Sequence, residues 1–511
     1  MPHRPARRLL ALLCGALLAC VSASAARAVE LDFGLRLLAR YNMQRNALET
    51  SLPYSLTERR FLDERFLSPV NDTQFGTFLV GANLDVSLGR GFSLTFSADS
   101  GLLRAGHEPV VQLATFFVGG RLARSPVTTT QTELAFRSNG APLSDEALRT
   151  LFLREAYATY SRDRFLRVAV GKRRITLAEG FIYDQFALGA SLRLDGQRGA
   201  VRVSPWALDV DAIVSDGSFD SGGKQSPLVH VGLRYVFGPL QSIGLSLIYF
   251  HDGDGLFSEV LRAAVLENNI GRTDARTQFA LQVPIGSSAD ILWFGVSGRR
   301  FFGDHRVSGL VYGQAGRMDL SVAAPQFVGG PVSNTASTTV VGALVDLDYQ
   351  YDVTEDLVVG AFFTAATGDD ELVSSLRTPA TRRPSFGAFL SLFPFVNRTN
   401  LFFNGGLNAE TTQRRASTLG VNARGLVSGG AYARWDHAKV RVDARVAVLG
   451  AQQPSLYGGR FYGTEVDVSA RLPLGAHFAF ALEADTLFTG SFFQAQRPFF
   501  QLITGVELAW P

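Results

Sequence analysis

The sequence predicts an all-β protein, a transmembrane antiparallel β-barrel of about eighteen strands (range about sixteen to twenty). Apolar and polar residues alternate in segments of about ten residues along the whole chain, which is typical of strands with one apolar face. Short turns alternate with long connections, as in outer-membrane barrels. Only 19% of the 511 residues are charged, and no apolar run reaches the roughly 18 residues that a membrane-spanning helix needs. A three-domain soluble protein is therefore disfavoured.

The first residues have the pattern of a secretory signal peptide. Three arginines precede a short apolar run at 9–21, and small residues follow up to Ala28. We therefore expect a signal peptide over 1–28 and one outer-membrane β-barrel over 29–511. The alternative is a lipoprotein in which Cys20 becomes the lipidated N-terminus. Removing the signal peptide takes away four Arg and no acidic residue, so the net charge of +3 becomes −1.

Each strand is predicted from apolar residues at every second position. The pattern is clear at 80–87, 92–97, 208–212, 345–350, 440–448 and 464–472. The eighteen predicted strands, in chain order, are 31–41, 77–88, 91–101, 150–161, 164–175, 188–204, 206–216, 228–238, 241–252, 288–301, 305–318, 338–352, 356–367, 424–436, 438–450, 461–473, 476–488 and 498–510. Residues 384–410 fit either a hairpin on the loop side or two further wall strands.

The connections predict which end of the barrel carries the loops. Tight turns at positions such as 88–91, 237–240 and 473–476 alternate with long connections, the longest of which covers 102–149. Both chain termini would then lie at the turn end, in the periplasm. The connection at 102–149 is a candidate constriction loop, and surface decoration is the alternative. Helical spacing occurs at 144–153 and 258–268.

The last strand has the pattern by which outer-membrane proteins are recognised for barrel assembly. Its apolar face carries Leu502, Val506, Leu508 and Trp510. The departure from the usual pattern is Pro511, which follows the aromatic residue.

The sequence offers no catalytic motif, and we expect neither an enzyme nor a nucleic-acid-binding protein. The seven histidines are scattered at predicted turns and loops, which favours solvated or structural roles over a metal site. Residues 252–255 begin like a calcium loop but lack the third carboxylate. We interpret them as a turn and expect no cofactor. The alternative is weak binding of divalent cations at the extracellular loops by this turn and by Asp369, Asp370 and Glu371.

Three segments carry a family resemblance: LREAYATY at 153–160, FLRVAVGKRRI at 165–175 followed by EGFIYDQF at 179–186, and the hairpin at 458–490. They resemble hairpins of substrate-specific porins and of the alginate-export type of outer-membrane channel. The resemblance implies a single-chain channel of about eighteen strands whose charged lumen selects the solute. The inward positions that it implies on the matching hairpins are Glu155, Arg167, Arg173, Glu465, Asp467 and Arg471.

Alternation predicts further inward charges of both signs. They are Arg193, Arg202, Asp209, Asp211, Asp346, Asp348, Arg434, Arg441, Asp443 and Arg445. These charges either brace the wall as cross-strand ion pairs or select solutes, and both roles stay open. A mixed lumen does not form a full arginine cage for an acidic polymer.

We therefore expect an outer-membrane channel for passive passage or export of hydrophilic solutes or polysaccharide. Its expected partners are membrane lipid, lipopolysaccharide and the barrel-assembly machinery. The alternative is a closed barrel that acts as a surface adhesin or structural protein through its long loops. The solute, the direction of transport and the oligomeric state stay open.

Overall fold

The computed structural model describes a closed set of strands and part of their connections. The described residues are 29–45, 73–100, 102–118, 121–138, 141–142, 152–162, 165–198, 201–215, 226–238, 241–253, 255–257, 261, 283–324, 332–369, 385–392, 394–403, 406–407, 417–455, 458–493 and 498–510. The predicted signal peptide and most of the predicted helices at 144–153 and 258–268 lie outside these residues. Among the described residues, no helix is long and apolar enough to cross a membrane.

The described part of the chain contains strands β1 to β23. The first group comprises β1 (Glu30–Arg45), β2 (Thr73–Gly89), β3 (Phe92–Asp99), β4 (Leu102–Val118), β5 (Arg121–Ser138), β6 (Ala141–Pro142), β7 (Phe152–Arg162), β8 (Leu166–Leu177), β9 (Tyr183–Arg198), β10 (Val201–Ser215), β11 (Ser226–Gly238) and β12 (Gln241–Asp252). The second group comprises β13 (Val283–Phe302), β14 (His305–Ala324), β15 (Val332–Asp352), β16 (Leu357–Ala366), β17 (Leu390–Ser391), β18 (Ser417–Thr418), β19 (Leu426–His437), β20 (Val440–Gly450), β21 (Phe461–Pro473), β22 (Phe478–Thr489) and β23 (Phe499–Trp510).

Eighteen of these strands form the wall of a closed antiparallel barrel. Each wall strand pairs with its neighbours along the chain, and β23 closes the ring by pairing with β1 from Leu35 opposite Trp510 to Arg45 opposite Phe500. The wall comprises β1 to β3, β7 to β16 and β19 to β23. Closure leaves no unpaired sheet edge, which is the condition for a sheet to cross a membrane. The predicted fold class and the count of eighteen are confirmed.

Three details of the wall differ from the sequence prediction. β9 ends at Arg198 and β10 begins at Val201, so β10 continues through Pro205, where a register shift between Arg202 and Ala207 absorbs the proline, which cannot donate to the ladder. The described residues within 384–410 supply no wall strand. Residues 102–149 contribute the β4–β5 hairpin, which extends the ladder of β2 through pairing with β4.

The two faces of the wall carry different side chains. On β12, Leu245 and Leu247 point outwards and are exposed, whereas Ile248 and Phe250 at neighbouring positions are fully buried inside. The same alternation holds on β10 and β22. An outward apolar face and a filled or polar interior are what a lipid-embedded barrel requires.

Part of the connection between β16 and β19 enters the barrel. We name residues 385–392 and 394–403 the inner segment; they belong to the connection between β16 and β19. Phe386 and Phe389 are fully buried and pack in one apolar core with Trp293 of β13 and Tyr462 of β21. This core fills the interior near the end with the long connections, which we call the loop end. The opposite end, with the short turns, is the turn end.

Candidate functional site

The interior of the barrel is the candidate functional site, because the predicted charges that the structure describes lie on its inward face. On β10, Asp209 and Asp211 point inwards while Leu208 and Val210 point to the outside. The other predicted residues that share the inward face are Glu155, Arg167, Arg173, Arg193, Asp346, Asp348, Arg434, Arg441, Asp443, Arg445, Glu465, Asp467 and Arg471. The side chain of Arg202 lies outside the described residues.

A polar cavity of about 320 Å³ lies against β8 to β11. Asp211 is the centre of one group, because Arg173 Nη2 lies 2.9 Å from its Oδ1 and His230 Nδ1 lies 2.9 Å from its Oδ2. Asp209 is the centre of a second group, with Arg234 Nη2 at 3.1 Å and Arg193 Nε at 3.8 Å. These pairs fix the direction of the guanidinium groups across neighbouring strands.

The cavity carries an excess of positive charge. Two carboxylates, those of Asp209 and Asp211, line the cavity together with five arginines, which are Arg167, Arg173, Arg174, Arg193 and Arg234. The guanidinium group of Arg167 makes no ion pair or hydrogen bond with any described residue, whereas the other four guanidinium groups are paired. Arg167 is therefore the group in this wall that can bind an anion without breaking an existing contact.

Two cavity residues on β11 were not predicted from the sequence. His230 was interpreted with the other histidines as a turn or loop residue, and this interpretation is wrong: it lies on β11 between the outward Val229 and Val231. Arg234 alternates with the outward Leu233 on the same strand. The alternation that identified Asp209 and Asp211 on the neighbouring strand would have found both residues.

A second group of inward charges binds the inner segment. Arg398 of that segment forms ion pairs with Asp346 and Asp348 of β15. Thr364 Oγ1 donates to Asp346 Oδ1 at 2.6 Å, and Tyr432 OH donates to Asp348 Oδ1 at 2.9 Å. Burial lowers the pKa of Arg398, but the two carboxylates outweigh burial and hold its pKa above the usual value. The two aspartates therefore act as partners of Arg398 in the folded interior.

Four buried carboxyl groups lie on β21 and β22, and three of them, Glu465, Asp467 and Asp485, bind the same segment. Glu465 accepts hydrogen bonds from Thr399 Oγ1 at 2.9 Å, Leu401 N at 2.5 Å and Phe402 N at 3.0 Å. Asp467 accepts from Asn400 N at 3.0 Å. Glu483 and Asp485 on β22 complete the group; they were not predicted, although they alternate with the outward Leu482 and Ala484.

The predicted charges near the turn end form ion pairs across the wall. Arg434 Nε lies 2.9 Å from Asp443 Oδ1, Arg441 Nε 2.6 Å from Asp436 Oδ1 and Arg471 Nη2 2.9 Å from Glu507 Oε2. Arg445 instead donates from Nη1 to Asn397 Oδ1 at 2.7 Å. Most of these side chains are half-exposed, so the interior at this end is open to water.

Two further predicted features have defined places. Leu502, Val506, Leu508 and Trp510 share the outward face of β23, beside the seam with β1. The carboxylate of Asp252 accepts hydrogen bonds from the N–H groups of Gly255, Leu256 and Phe257 and from Ser287 Oγ. This is the pattern of a helix N-cap. Asp254, Asp370 and Glu371 lie outside the described residues, and the described part of the chain contains no group of three ligands arranged for a metal ion.

No protein-family model matches the chain, and no curated protein matches it by sequence. Solved structures that the chain is similar to include OccK5 (OpdH) of Pseudomonas aeruginosa, with 11% identity, coverage of 94% of this chain and 99% of that chain, and a TM-score of 0.42. The outer membrane protein OpdK of the same species has 11% identity, the same coverage and a TM-score of 0.45. OccAB4 of Acinetobacter baumannii has 9% identity, coverage of 95% and 99%, and a TM-score of 0.43. The barrel is established by its own strand pairing.

Proposed function

We propose that the protein is a porin-like channel of the bacterial outer membrane that lets small hydrophilic solutes pass by diffusion. The observation that carries the proposal is the closed wall of eighteen strands with apolar side chains outside and a charged interior at the turn end. An apolar outer face needs lipid, and a charged interior needs water. The proposed environment includes lipopolysaccharide in the outer leaflet, and the outward apolar face of β23 is the proposed signal for the barrel-assembly machinery.

We further propose that anions are favoured over cations. Arg167, Arg173 and Arg193 point into the cavity, and fixed charges on a pore wall bias which ions enter. Most other inward carboxylates contact the inner segment or pair with arginines, whereas Asp85 accepts from Thr95 Oγ1 and Glu155 accepts from the backbone N–H of Arg174. The positive charge that we propose to favour anions is therefore that of the cavity arginines.

Planar-bilayer recording of the refolded protein tests both statements. We expect discrete conductance steps and, in a potassium chloride gradient, a reversal potential of the sign given by chloride selectivity. Conductance steps with a reversal potential of the opposite sign would contradict the anion preference but not the channel. A protein that migrates as a folded barrel but never conducts would contradict the channel.

A second candidate function is a closed barrel that acts at the cell surface as an adhesin or structural protein. The apolar core at the loop end supports it, because Trp293, Phe389 and Tyr462 are fully buried inside the barrel. Binding of polysaccharide or cells without conductance would favour this function. Export of a polysaccharide, implied by the resemblance to alginate-export channels, would instead require conductance that the polymer blocks.

A further inference from the structure

The inner segment is held near Phe395 by the connection between β8 and β9. Phe395 N donates to Gly180 O at 2.9 Å, Leu392 N donates to Ile182 O at 2.9 Å and Ser391 Oγ donates to Phe181 O at 2.7 Å. Gly180 has a φ of 89°, and a Cβ atom there would collide with the carbonyl oxygen of Phe395. Only glycine combines this backbone conformation with so close an approach.

The same segment is held at strands that lie far away in the ring. From Arg398 onwards it contacts β15, β21 and β22, whereas β8 and β9 belong to another part of the wall. The segment therefore crosses the interior and does not follow one side of it. A segment fixed at both sides of a lumen divides the space through which a solute can pass.

Glu465 is the main acceptor at the second side. Its side chain is fully buried, and its two oxygens accept three hydrogen bonds from Thr399, Leu401 and Phe402. Burying a carboxyl group is costly unless donors satisfy its oxygens. Because these three donors belong to the inner segment, the stable position of Glu465 and that of the segment depend on each other.

Asn400 adds contacts to the same place. Its N–H donates to Asp467 Oδ2 at 3.0 Å, and its Nδ2 donates to Asp485 Oδ1 at 2.8 Å. Residues 399–402 thus bring five hydrogen bonds to two neighbouring strands. Because these donors come from four consecutive residues, together they hold the backbone of residues 399–402 in one conformation.

Arg398 provides an independent attachment to β15. Its guanidinium group is shared between Asp346 and Asp348 and lies 5.4 Å from the centre of the Phe362 ring. Removing one partner of a buried ion pair leaves an uncompensated charge, which is strongly destabilising. This attachment acts directly beside the one at Glu465.

We propose that Glu465, with Asp346 and Asp348, positions the inner segment as a fixed constriction and so sets the size limit of the channel. The carboxyl groups are positioning residues that act through the segment. The size limit rests on the proposed channel function. The anchoring of the segment by these carboxyl groups does not depend on it.

The test compares Glu465→Gln with Arg471→Gln in the refolded full-length protein. The first substitution keeps the shape of the side chain but removes one of its two acceptor oxygens, whereas Arg471 lies on the same strand at the turn end and contacts Glu507. We expect amide hydrogen exchange over 398–403 to rise at least about tenfold in Glu465→Gln, because the amide nitrogen that replaces one oxygen cannot accept the hydrogen bonds of the segment. Exchange in Arg471→Gln should stay at the wild-type rate.

Liposome swelling with uncharged sugars of increasing size measures the consequence. Neutral solutes report the width of the channel and not its charge. We expect Glu465→Gln to admit sugars that the wild type excludes and to raise single-channel conductance at least about two-fold. Unchanged exchange overturns the anchoring, and raised exchange with an unchanged size limit overturns the role in solute selection.

Two further measurements keep the outcomes separate. If Glu465→Gln does not fold, as judged by heat-modifiable migration, Asp346→Asn takes its place, because it weakens the attachment of Arg398 without touching Glu465. If the wild type folds but does not conduct, the channel function and the size limit fail together. The exchange rates over 398–403 then still decide whether the carboxyl groups anchor the segment.

Discussion

The two ends of the barrel interior are built from the same alternating strands, yet their inward side chains have opposite surroundings. At the loop end, inward residues such as Leu177 and Leu487 are buried in an apolar core together with Phe386 of the inner segment. At the turn end, inward Arg441 and Arg471 are about half-exposed and pair with neighbouring carboxylates. One end behaves as a protein core and the other as a wet surface.

The difference shows that alternation decides the direction of a side chain but not its environment. Leu177 and Arg167 share the inward face of β8. Leu177 is buried because it packs in the apolar core with residues from other parts of the chain, whereas Arg167, nearer the turn end, is exposed. A segment far away in the sequence therefore determines which stretch of the lumen is filled.

Substitution of Trp293 by alanine should have the largest effect on stability. Trp293 is fully buried and donates from Nε1 to Gln314 Oε1 and Leu390 O at 3.1 Å. Loss of such a ring from a core costs about 3–5 kcal/mol. The adjacent Phe294 faces outwards with 49% of its surface exposed, so Phe294→Ala should cost clearly less. Urea titration of both variants in lipid vesicles gives the comparison, and equal losses would show that the loop end is not a packed core.

Arg398→Ala should come next. It leaves Asp346 and Asp348 without their buried counter-ion. Such a change typically lowers the free energy of unfolding by about 3–5 kcal/mol, and water that enters the site reduces this loss. Adding Asp346→Asn and Asp348→Asn should restore part of the loss, because neutral amides no longer need the cation. The same titration measures both proteins. No recovery in the triple variant would mean that packing of Arg398, and not its charge, stabilises the segment.

Most of the wall could be predicted from the sequence. Each lipid-facing strand alternates apolar and polar residues along its own length, so it can be identified without knowing its neighbours. The interval from 461 to 473 is an example in which the predicted strand and β21 coincide. The boundary between the predicted strands 188–204 and 206–216 was misplaced, because β10 passes through Pro205 by a bulge that only strand pairing reveals.

The filling of the interior could not be predicted in the same way. Asp346 and Asp348 were correctly expected to point inwards, but nothing in their neighbourhood indicates Arg398, which lies some 50 positions further along the chain. Residues 384–410 fitted either a hairpin on the loop side or two further wall strands, and their local pattern did not indicate that their apolar side chains fill a space made by many strands. Contacts of this kind depend on the closed barrel and not on local pattern.

The open end can be altered with little loss of stability and a measurable change in selectivity. Arg193 and Arg234 both contact Asp209, and replacing both by glutamine removes two positive charges from the cavity. We expect the anion-to-cation permeability ratio to fall roughly two- to five-fold in reversal-potential measurements. Arg317→Gln is the matched control, because Arg317 lies on the outward face of β14 beside Asp319. An equal shift in the control would mean that the cavity does not select ions.

Arg441→Gln should have the smallest effect of all. Arg441 Nε lies 2.6 Å from Asp436 Oδ1, but the side chains are 55% and 44% exposed. Water and salt screen such a pair, and exposed pairs contribute about 0–1 kcal/mol. We therefore expect the urea midpoint to stay near that of the wild type and any small difference to vanish at high salt. A loss comparable to that of Arg398→Ala would mean that the turn-end ion pairs are buried in the folded membrane protein, and the contrast between the two ends of the interior would then disappear.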